Sequence, residues 1–340
     1  HKMNVALKEE GCEVDVISPR VLGKKSVKKQ DTIDDIRVRF PKYLSFSRYF
    51  LGLSSWFAWR SVAPIINDKE YDLILAHTAV PDGYIAKRLS KRLNIPYFVY
   101  VHGADVQHKI HYSEGSSSLI RAVLISATKV FVNSSKTKNL VKNRVGVDAV
   151  VIPMGVDGVN DGLKKKKSSK IKIISICNLE KEKGIQYSIE AVKGIKDENL
   201  EYFIIGSGSY EGVLQKLAKN DHRISFLGRL SQEDVFGYLA SSDIFVMRSY
   251  NEAFGVVYIE AMNFGLPIIG VKGEGVEDII EKGECGILVE PRSADAVGEA
   301  LIRLMSDERL RANMGKIGQK IVKENYLWSK TSKQILRELA

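Results

Sequence analysis

NEAFGVVYIEAMNFGLP, residues 251–267, follows an apolar run from Ile244 to Met247 and carries two carboxylates, Glu252 and Glu260. Its spacing predicts a short helix opening near Gly255, because Val256, Ile259 and Met262 to Asn263 recur at helical intervals. Gly265 supplies a left-handed stop and Pro267 forbids continuation. A helix opening leaves its first backbone N–H groups without internal partners, and the macrodipole adds positive potential, so the tip is a ready site for phosphate. Gly255 lets an anion approach that backbone closely. Glu260 falls about five residues into the helix, roughly 7 to 8 Å along its axis at ~1.5 Å per residue. That is near the offset between a diphosphate and its ribose. A carboxylate there can accept both ribose hydroxyls, while Glu252, across the phosphates, faces whatever the diphosphate carries. The geometry suggests a nucleotide sugar. Taken alone, the same residues read equally well as a buried amphipathic helix with two solvated glutamates, and the surroundings must decide.

Outward from this stretch, short apolar runs alternate with helix-sized segments. EVDVIS (13–18), YDLILAH (71–77), PYFVYVHG (96–103), KVFVNS (129–134) and AVVIP (149–153) precede a lysine-rich segment, GLKKKKSSK (162–170). KIIS (172–175), YFIIG (202–206), RISFLG (223–228), DIFVM (243–247), PIIG (267–270) and GILVE (286–290) follow it. Strands separated by helices mean βαβ units and parallel sheets covered on both faces. Eleven strands are too many for one ordinary open sheet. The expectation is an α/β protein with two doubly wound domains, residues 1–161 and 171–323, joined through 162–170, with 324–340 a helix returning to the first domain. Residues 1–10 read as the second half of a helix leading into Gly11, so a first strand and its loop are expected before His1.

The 340 residues, 44% of them apolar, suit a soluble globular chain. Cys12, Cys177 and Cys285 are odd in number and lack CxxC spacing, which argues against a disulfide framework and a zinc site and for a reducing cytosol. The longest uncharged apolar-aromatic run, Tyr49 to Trp59, is too short to span a bilayer. Charge is uneven: residues 1–170 hold 29 Lys and Arg against 16 Asp and Glu, a net +13, whereas residues 171–340 hold 22 against 25, a net −3. The basic half should meet an anionic partner such as lipid headgroups, a lipid diphosphate or nucleic acid. KYLSFSRYFLGLSSWFAWR (42–60) mixes Phe46, Phe50, Leu51, Trp56, Phe57 and Trp59 with Lys42, Arg48 and Arg60, which suits a helix lying in a membrane interface and also a core helix of the first domain.

In open parallel sheets ligands bind beyond the carboxyl ends of the strands, so residues just after strands are the functional candidates. His102 in His-Gly-Ala-Asp (102–105) could donate to a sugar hydroxyl or buffer charge at a reacting carbon. Asn178 and Lys183 flank a helix opening at Ile185 and could bind phosphate from the opposite wall. Gly206 and Gly208 give backbone room near an anion, although GSGSYEG lacks the dinucleotide-fingerprint spacing. Arg229 and Leu230 close the strand at 223–227, where a planar base can lie against backbone.

Together, Lys183-Gly184, Gly206-x-Gly208, FLGRLS (226–231), Ser242 to Val246 and the Glu-x7-Glu of Glu252 and Glu260 resemble, in order and spacing, the retaining glycosyltransferases of family 4. VHGADV (101–106), VNSSKTKNLV (132–141) and VIPMGVD (151–157) resemble that family's first-domain and linker motifs, so the likeness covers nearly the whole chain. It implies a GT-B architecture, two Rossmann-like domains with the active site in the cleft, and transfer from a nucleotide-sugar donor with retention. By resemblance, Glu260 binds the ribose, Lys183 the diphosphate, and the amides of Phe254, Gly255 and Val256 the phosphate and sugar. Glu252 resembles the glutamate near the transferred sugar, and His102 the first-domain histidine near the reaction centre. Asn178 stands where many members carry Arg, which removes one phosphate contact.

No Asp-x-Asp follows a strand to hold a bridging cation, and Lys183 with a helix tip can stabilise a departing diphosphate, so metal-independent transfer without a cofactor is expected. The acceptor fits a saccharide or lipid-linked saccharide in cell-surface polysaccharide assembly, with UDP the preferred base and the enzyme cytoplasmic, peripheral on the inner face of the plasma membrane. Another GT-B enzyme, a sugar-nucleotide epimerase or a phosphorylase, would share the pocket. Nucleic-acid binding finds no recognition motif, and a redox Rossmann enzyme lacks its fingerprint.

Overall fold

The computed structural model describes residues 1–23, 32–66, 71–158 and 169–339. The chain divides into two compact units: His1–Pro153 with Thr331–Ala340, and Met154–Lys330. The division at Pro153 precedes the lysine-rich segment taken from the sequence as the linker, of which 162–168 lie outside the described residues.

Unit 1 opens with α1 (Lys2–Glu9), capped at Glu10 and followed by Gly11 at φ +92°. Five short strands follow, β1 (Val16–Ile17), β2 (Arg20–Val21), β3 (Thr32–Ile33), β4 (Ile36–Arg39) and β5 (Lys42–Tyr43). They form a three-stranded sheet ordered β1-β4-β3 and a β2-β5 pair. Of these only β1 was legible, and the strand expected over 13–18 shrinks to two residues. The expected helix over 42–60 is also corrected: Lys42–Tyr43 is a strand, Arg48–Phe50 a 3-10 turn, and the helix proper, α2, is Leu51–Val62. The rest of the unit is β6 (Ile74–His77), α3 (Tyr84–Leu93), β7 (Tyr97–Val101), α4 (Ala104–Gln107), α5 (Glu114–Ser126), β8 (Lys129–Val132), α6 (Ser135–Val145) and β9 (Val150–Val151). Strands β6 to β9 make a parallel sheet in sequence order, and every residue of β7 is buried.

Unit 2 carries β10 (Ile171–Ile176), α7 (Ile185–Gly194), β11 (Leu200–Ile205), α8 (Glu211–Ala218), β12 (Ile224–Gly228), α9 (Gln232–Ser241) and β13 (Ile244–Val246). Then come α10 (Val256–Asn263), β14 (Ile268–Val271), α11 (Glu277–Ile280), β15 (Gly286–Val289), α12 (Ala294–Ser306) and α13 (Glu308–Asn325). The six strands are all parallel and ordered β12-β11-β10-β13-β14-β15. Numbered within the unit, that is 3-2-1-4-5-6, the doubly wound order. Because side chains alternate along a strand, Ile173, Ile204 and Ile244 join α7, α8 and α12 in one core. Ile174, Ile205 and Phe245 join α9, α10 and α13 in the other. The sheet is thus buried on both faces.

The last helix, α14 (Trp328–Leu339), is held within unit 1 by Thr331 and Gln334, which donate to the carbonyls of Pro153 (3.1 Å) and Val151 (3.0 Å). Lys129 adds a bond to the Glu338 carbonyl at 2.7 Å.

Candidate active site

In unit 2 the strand order reverses between β10 and β13, so their following loops diverge and open a crevice at the carboxyl ends. The β10 loop turns through a 3-10 turn, Lys181–Lys183, and enters α7 through Gly184 at φ +68°. A Cβ at Gly184 would collide with the Arg248 carbonyl, so only glycine lets the two loops touch. They are laced together by the Tyr250 amide donating to the Glu182 carbonyl (2.8 Å) and the Tyr250 hydroxyl to the Lys181 carbonyl (2.9 Å). The outcome is an ion pair across 69 residues of sequence: Lys183 Nζ stands 2.7 Å from Glu252 Oε2, the side chains 25% and 16% exposed.

The loop bearing Glu252 is itself held in place. Asn251 adopts φ +77°, and the Glu274 carboxylate, after β14, accepts the amides of Asn251 (3.0 Å) and Glu252 (2.6 Å). The helix α10 begins where expected: Gly255 at φ +81° is its N-cap, and a Cβ there would lie 2.6 Å from the Tyr258 ring. The amides of Gly255, Val256 and Val257 make no hydrogen bond among the described residues, as the opening turn of a helix requires. Gly265 ends the helix at φ +73°, its amide on Met262 and that of Leu266 on Ala261, a Schellman pair. One turn in, Glu260 is half-buried, and burial with the nearby Asp157 charge raises its carboxyl pKa. Phe254 is buried against Tyr326.

The remaining expected residues have clear local roles. Cβ atoms at Gly206 and Gly208 would strike the carbonyls of Cys177 and Leu179, so these glycines seat the β10 loop against the β11 loop. Their freedom serves that backbone crossing first. Burial pushes the Cys177 thiol up to about 12, so it stays protonated. Arg229 is exposed and donates to Ser207 Oγ at 2.6 Å, Leu230 packs on the α9–α10 core, and Asn178 is exposed.

His102 belongs to unit 1, just past β7. Its Nε2 lies 3.2 Å from Nδ1 of His77, the last residue of β6, and its ring stacks on Tyr100 at 4.6 Å. Burial lowers both histidine pKa values, that of His77 to about 3 with the neighbouring His102 contributing, so His77 is neutral at physiological pH. Beside them the fully buried Asp105 accepts the Ala79 amide (2.9 Å) and pairs with Lys109 at 2.8 Å. Burial also raises Asp82 to about 6. His77 and Glu274 were missed in the sequence, although both stand at the carboxyl ends of strands, where the same positional argument reaches them.

Residues 3–158 match the family model described as Glycosyltransferase Family 4, and residues 161–321 that described as Glycosyl transferases group 1. The chain belongs to the family 4 glycosyltransferases. This glycosyltransferase is 29% identical over 324 residues to TuaC of Bacillus subtilis (strain 168), named for teichuronic acid biosynthesis, covering 87% of this chain and 82% of TuaC. It is 28% identical over 312 residues to the N-acetyl-alpha-D-glucosaminyl L-malate synthase of Bacillus anthracis, covering 86% and 79%. Among solved structures it is similar to sucrose-phosphate synthase from Thermosynechococcus elongatus, with a TM-score of 0.82, 21% identity and coverage of 99% and 92%. Anabaena HepE, solved with UDP and glucose, gives a TM-score of 0.74 at 20% identity, with coverage of 90% and 86%. These likenesses show the fold: the glycosyltransferase has the GT-B architecture, two Rossmann-like units.

Proposed function

We propose that the protein is a retaining, metal-independent hexosyltransferase that moves a sugar from a UDP-sugar to a saccharide or lipid-linked saccharide in cell-surface polysaccharide assembly. One observation carries the reading: the Lys183–Glu252 pair stands at the strand-order reversal, in the loops that open α7 and α10, and the first amides of α10 have no partner among the described residues. A diphosphate at that tip would take the α10 amides and the Lys183 ammonium, and Glu252, released from its ion pair, would accept hydroxyls of the transferred sugar. Glu260 would bind the ribose and His102 would stand near the reacting carbon, with Arg229 and Leu230 beside the base.

As the bond from the anomeric carbon to the β-phosphate oxygen breaks, negative charge grows on the leaving nucleotide, where Lys183 and the helix tip are already oriented. The acceptor oxygen attacks from the same face, and its proton passes to the departing phosphate oxygen. Glu252 then orients the sugar rather than forming a covalent intermediate. No resident cofactor or metal enters this scheme. UDP is preferred because HepE binds it on the same fold, and the teichuronic naming of TuaC supports a surface-polymer acceptor. Among the described residues no helix is long and apolar enough to cross a membrane. The reading adds peripheral attachment, through the α2 region, to the cytoplasmic face of the membrane.

Thermal-shift titration with UDP, GDP and ADP fixes the donor base. NMR of the product anomer then reads stereochemistry, and a product of inverted configuration overturns the retaining mechanism. Activity surviving excess EDTA is expected, and its abolition would show a required metal.

A further inference from the structure

Helices α2, α3 and α5 pack together in unit 1 and leave a surface depression of about 610 Å³. Its walls carry four cations, Lys87, Arg88, Lys91 and Arg92, and two rings, Trp59 and Tyr84, over an apolar floor from α5. No lining residue is acidic. The cations share one side of α3, where like charges three and four residues apart repel unless an anion joins them. Two are locked by neutral partners: Lys87 donates to the Ala122 carbonyl (2.8 Å), and Arg92 to those of Ala63 (2.9 Å) and Ile66 (3.2 Å). Arg88 lies over the Tyr84 ring at 5.0 Å and the Trp59 ring at 5.9 Å. Arg88 and Lys91 are exposed and make no hydrogen bond or ion pair among the described residues. Two of the four positive charges are therefore held in place, and among the described residues none of the four is compensated by an acidic partner.

The flank of this depression is apolar and open to solvent. Tyr49 is 55% exposed, Phe50 59%, Leu53 43% and Trp56 40%. On α2, Trp56 lies three residues from Trp59, about 60° round a helix of 3.6 residues per turn, so the exposed stripe runs straight into the pocket wall. Arg60 sits over Trp56 at 5.7 Å. A soluble anion or a nucleic acid would satisfy the cations and leave the stripe in water, whereas a lipid surface satisfies both.

We propose that this depression holds the phosphate of an anionic phospholipid headgroup while the Tyr49–Trp56 stripe enters the interface beside it. The inference rests on the peripheral-membrane reading above and names the contact that produces it. It needs no donor, so it stands or falls apart from the transfer reaction.

The test is flotation of the full chain with phosphatidylcholine vesicles, with and without phosphatidylglycerol, at fixed ionic strength. Wild type should be retained by the anionic vesicles. Arg88→Gln/Lys91→Gln should weaken that retention about thirty-fold, since each membrane-facing cation contributes roughly five- to sixfold. Lys138→Gln/Lys142→Gln on α6 removes the same charge elsewhere and should cost severalfold less, because screening ends the attraction within about 8 Å at physiological salt. Equal losses in the two pairs, or none in the first, overturn the pocket. No retention of wild type overturns pocket and membrane reading together. Saturable binding of glycerol phosphate or inorganic phosphate without vesicle retention would assign the cations to a soluble anion and overturn the lipid. If the pocket variant misfolds, brominated phosphatidylglycerol should still quench wild-type tryptophan fluorescence, and absence of quenching refutes the docking.

Discussion

Replacing Lys183 by Met keeps the aliphatic stem and deletes the ammonium that stands 2.7 Å from Glu252. Two unit charges 4 Å apart at an effective dielectric of 20 interact by about 4 kcal/mol, yet this ammonium is already shared with Glu252, so a diphosphate gains less than that. A charge-assisted hydrogen bond, about 1.5 to 3 kcal/mol net, is the better measure. At about 1.4 kcal/mol per decade, UDP affinity should fall roughly 10- to 150-fold. The leaving diphosphate carries more charge in the transition state than in the bound donor, so kcat should fall along with UDP affinity. Calorimetric titration of UDP and initial rates against donor concentration supply the two numbers, with circular dichroism and melting temperature confirming the fold. Lys183→Arg should recover part of the affinity. If Lys183→Met binds UDP and turns over within about twofold of wild type, the ammonium does not face the phosphates and the assignment of this site fails.

Gly255→Ala forces an L side chain into φ +81° and within 2.6 Å of the Tyr258 ring. It should cost about 1 to 3 kcal/mol in stability and donor affinity together, and an unchanged melting temperature would refute the strain. Glu260→Ala should weaken UDP tenfold or more while leaving binding of 2′,3′-dideoxyuridine diphosphate unaltered, because the carboxylate acts on hydroxyls that analogue lacks. Equal losses for both ligands would remove the ribose assignment. Asp82, raised by burial from 3.8 to about 6, keeps its proton in the folded state through a window where the unfolded chain has lost it. It therefore costs stability as pH rises from about 4 to about 6. Asp82→Asn should gain stability over wild type across that window, and a difference independent of pH would refute the burial argument.

Local signals carried the alternation of strands and helices in unit 2, because a buried parallel strand is a short apolar run bounded by turns. The start of α10 at Gly255 and its stop at Gly265 were legible for the same reason: a cap is decided by one residue's dihedral freedom. The small strands at 20–21, 32–33, 36–39 and 42–43 were missed, since strands of two to four residues leave too little pattern to separate from loop. The aromatic richness of 42–60 overstated the helix, because composition reports an amphipathic surface without fixing where hydrogen bonding begins. Only tertiary packing could show that Gly206 and Gly208 make room for backbone carbonyls of the β10 loop.

What the sequence determined alone was the doubly wound class, the helix tip and the two acids around it, all set by spacing within about a dozen residues. The tertiary structure decided which loops meet: strand order 3-2-1-4-5-6 brings Lys183 to Glu252, and Glu274 to the amides of Asn251 and Glu252. Periodicity names the faces a strand buries but not its neighbours. That choice is made by burying both faces of the sheet at once, a property of the whole chain.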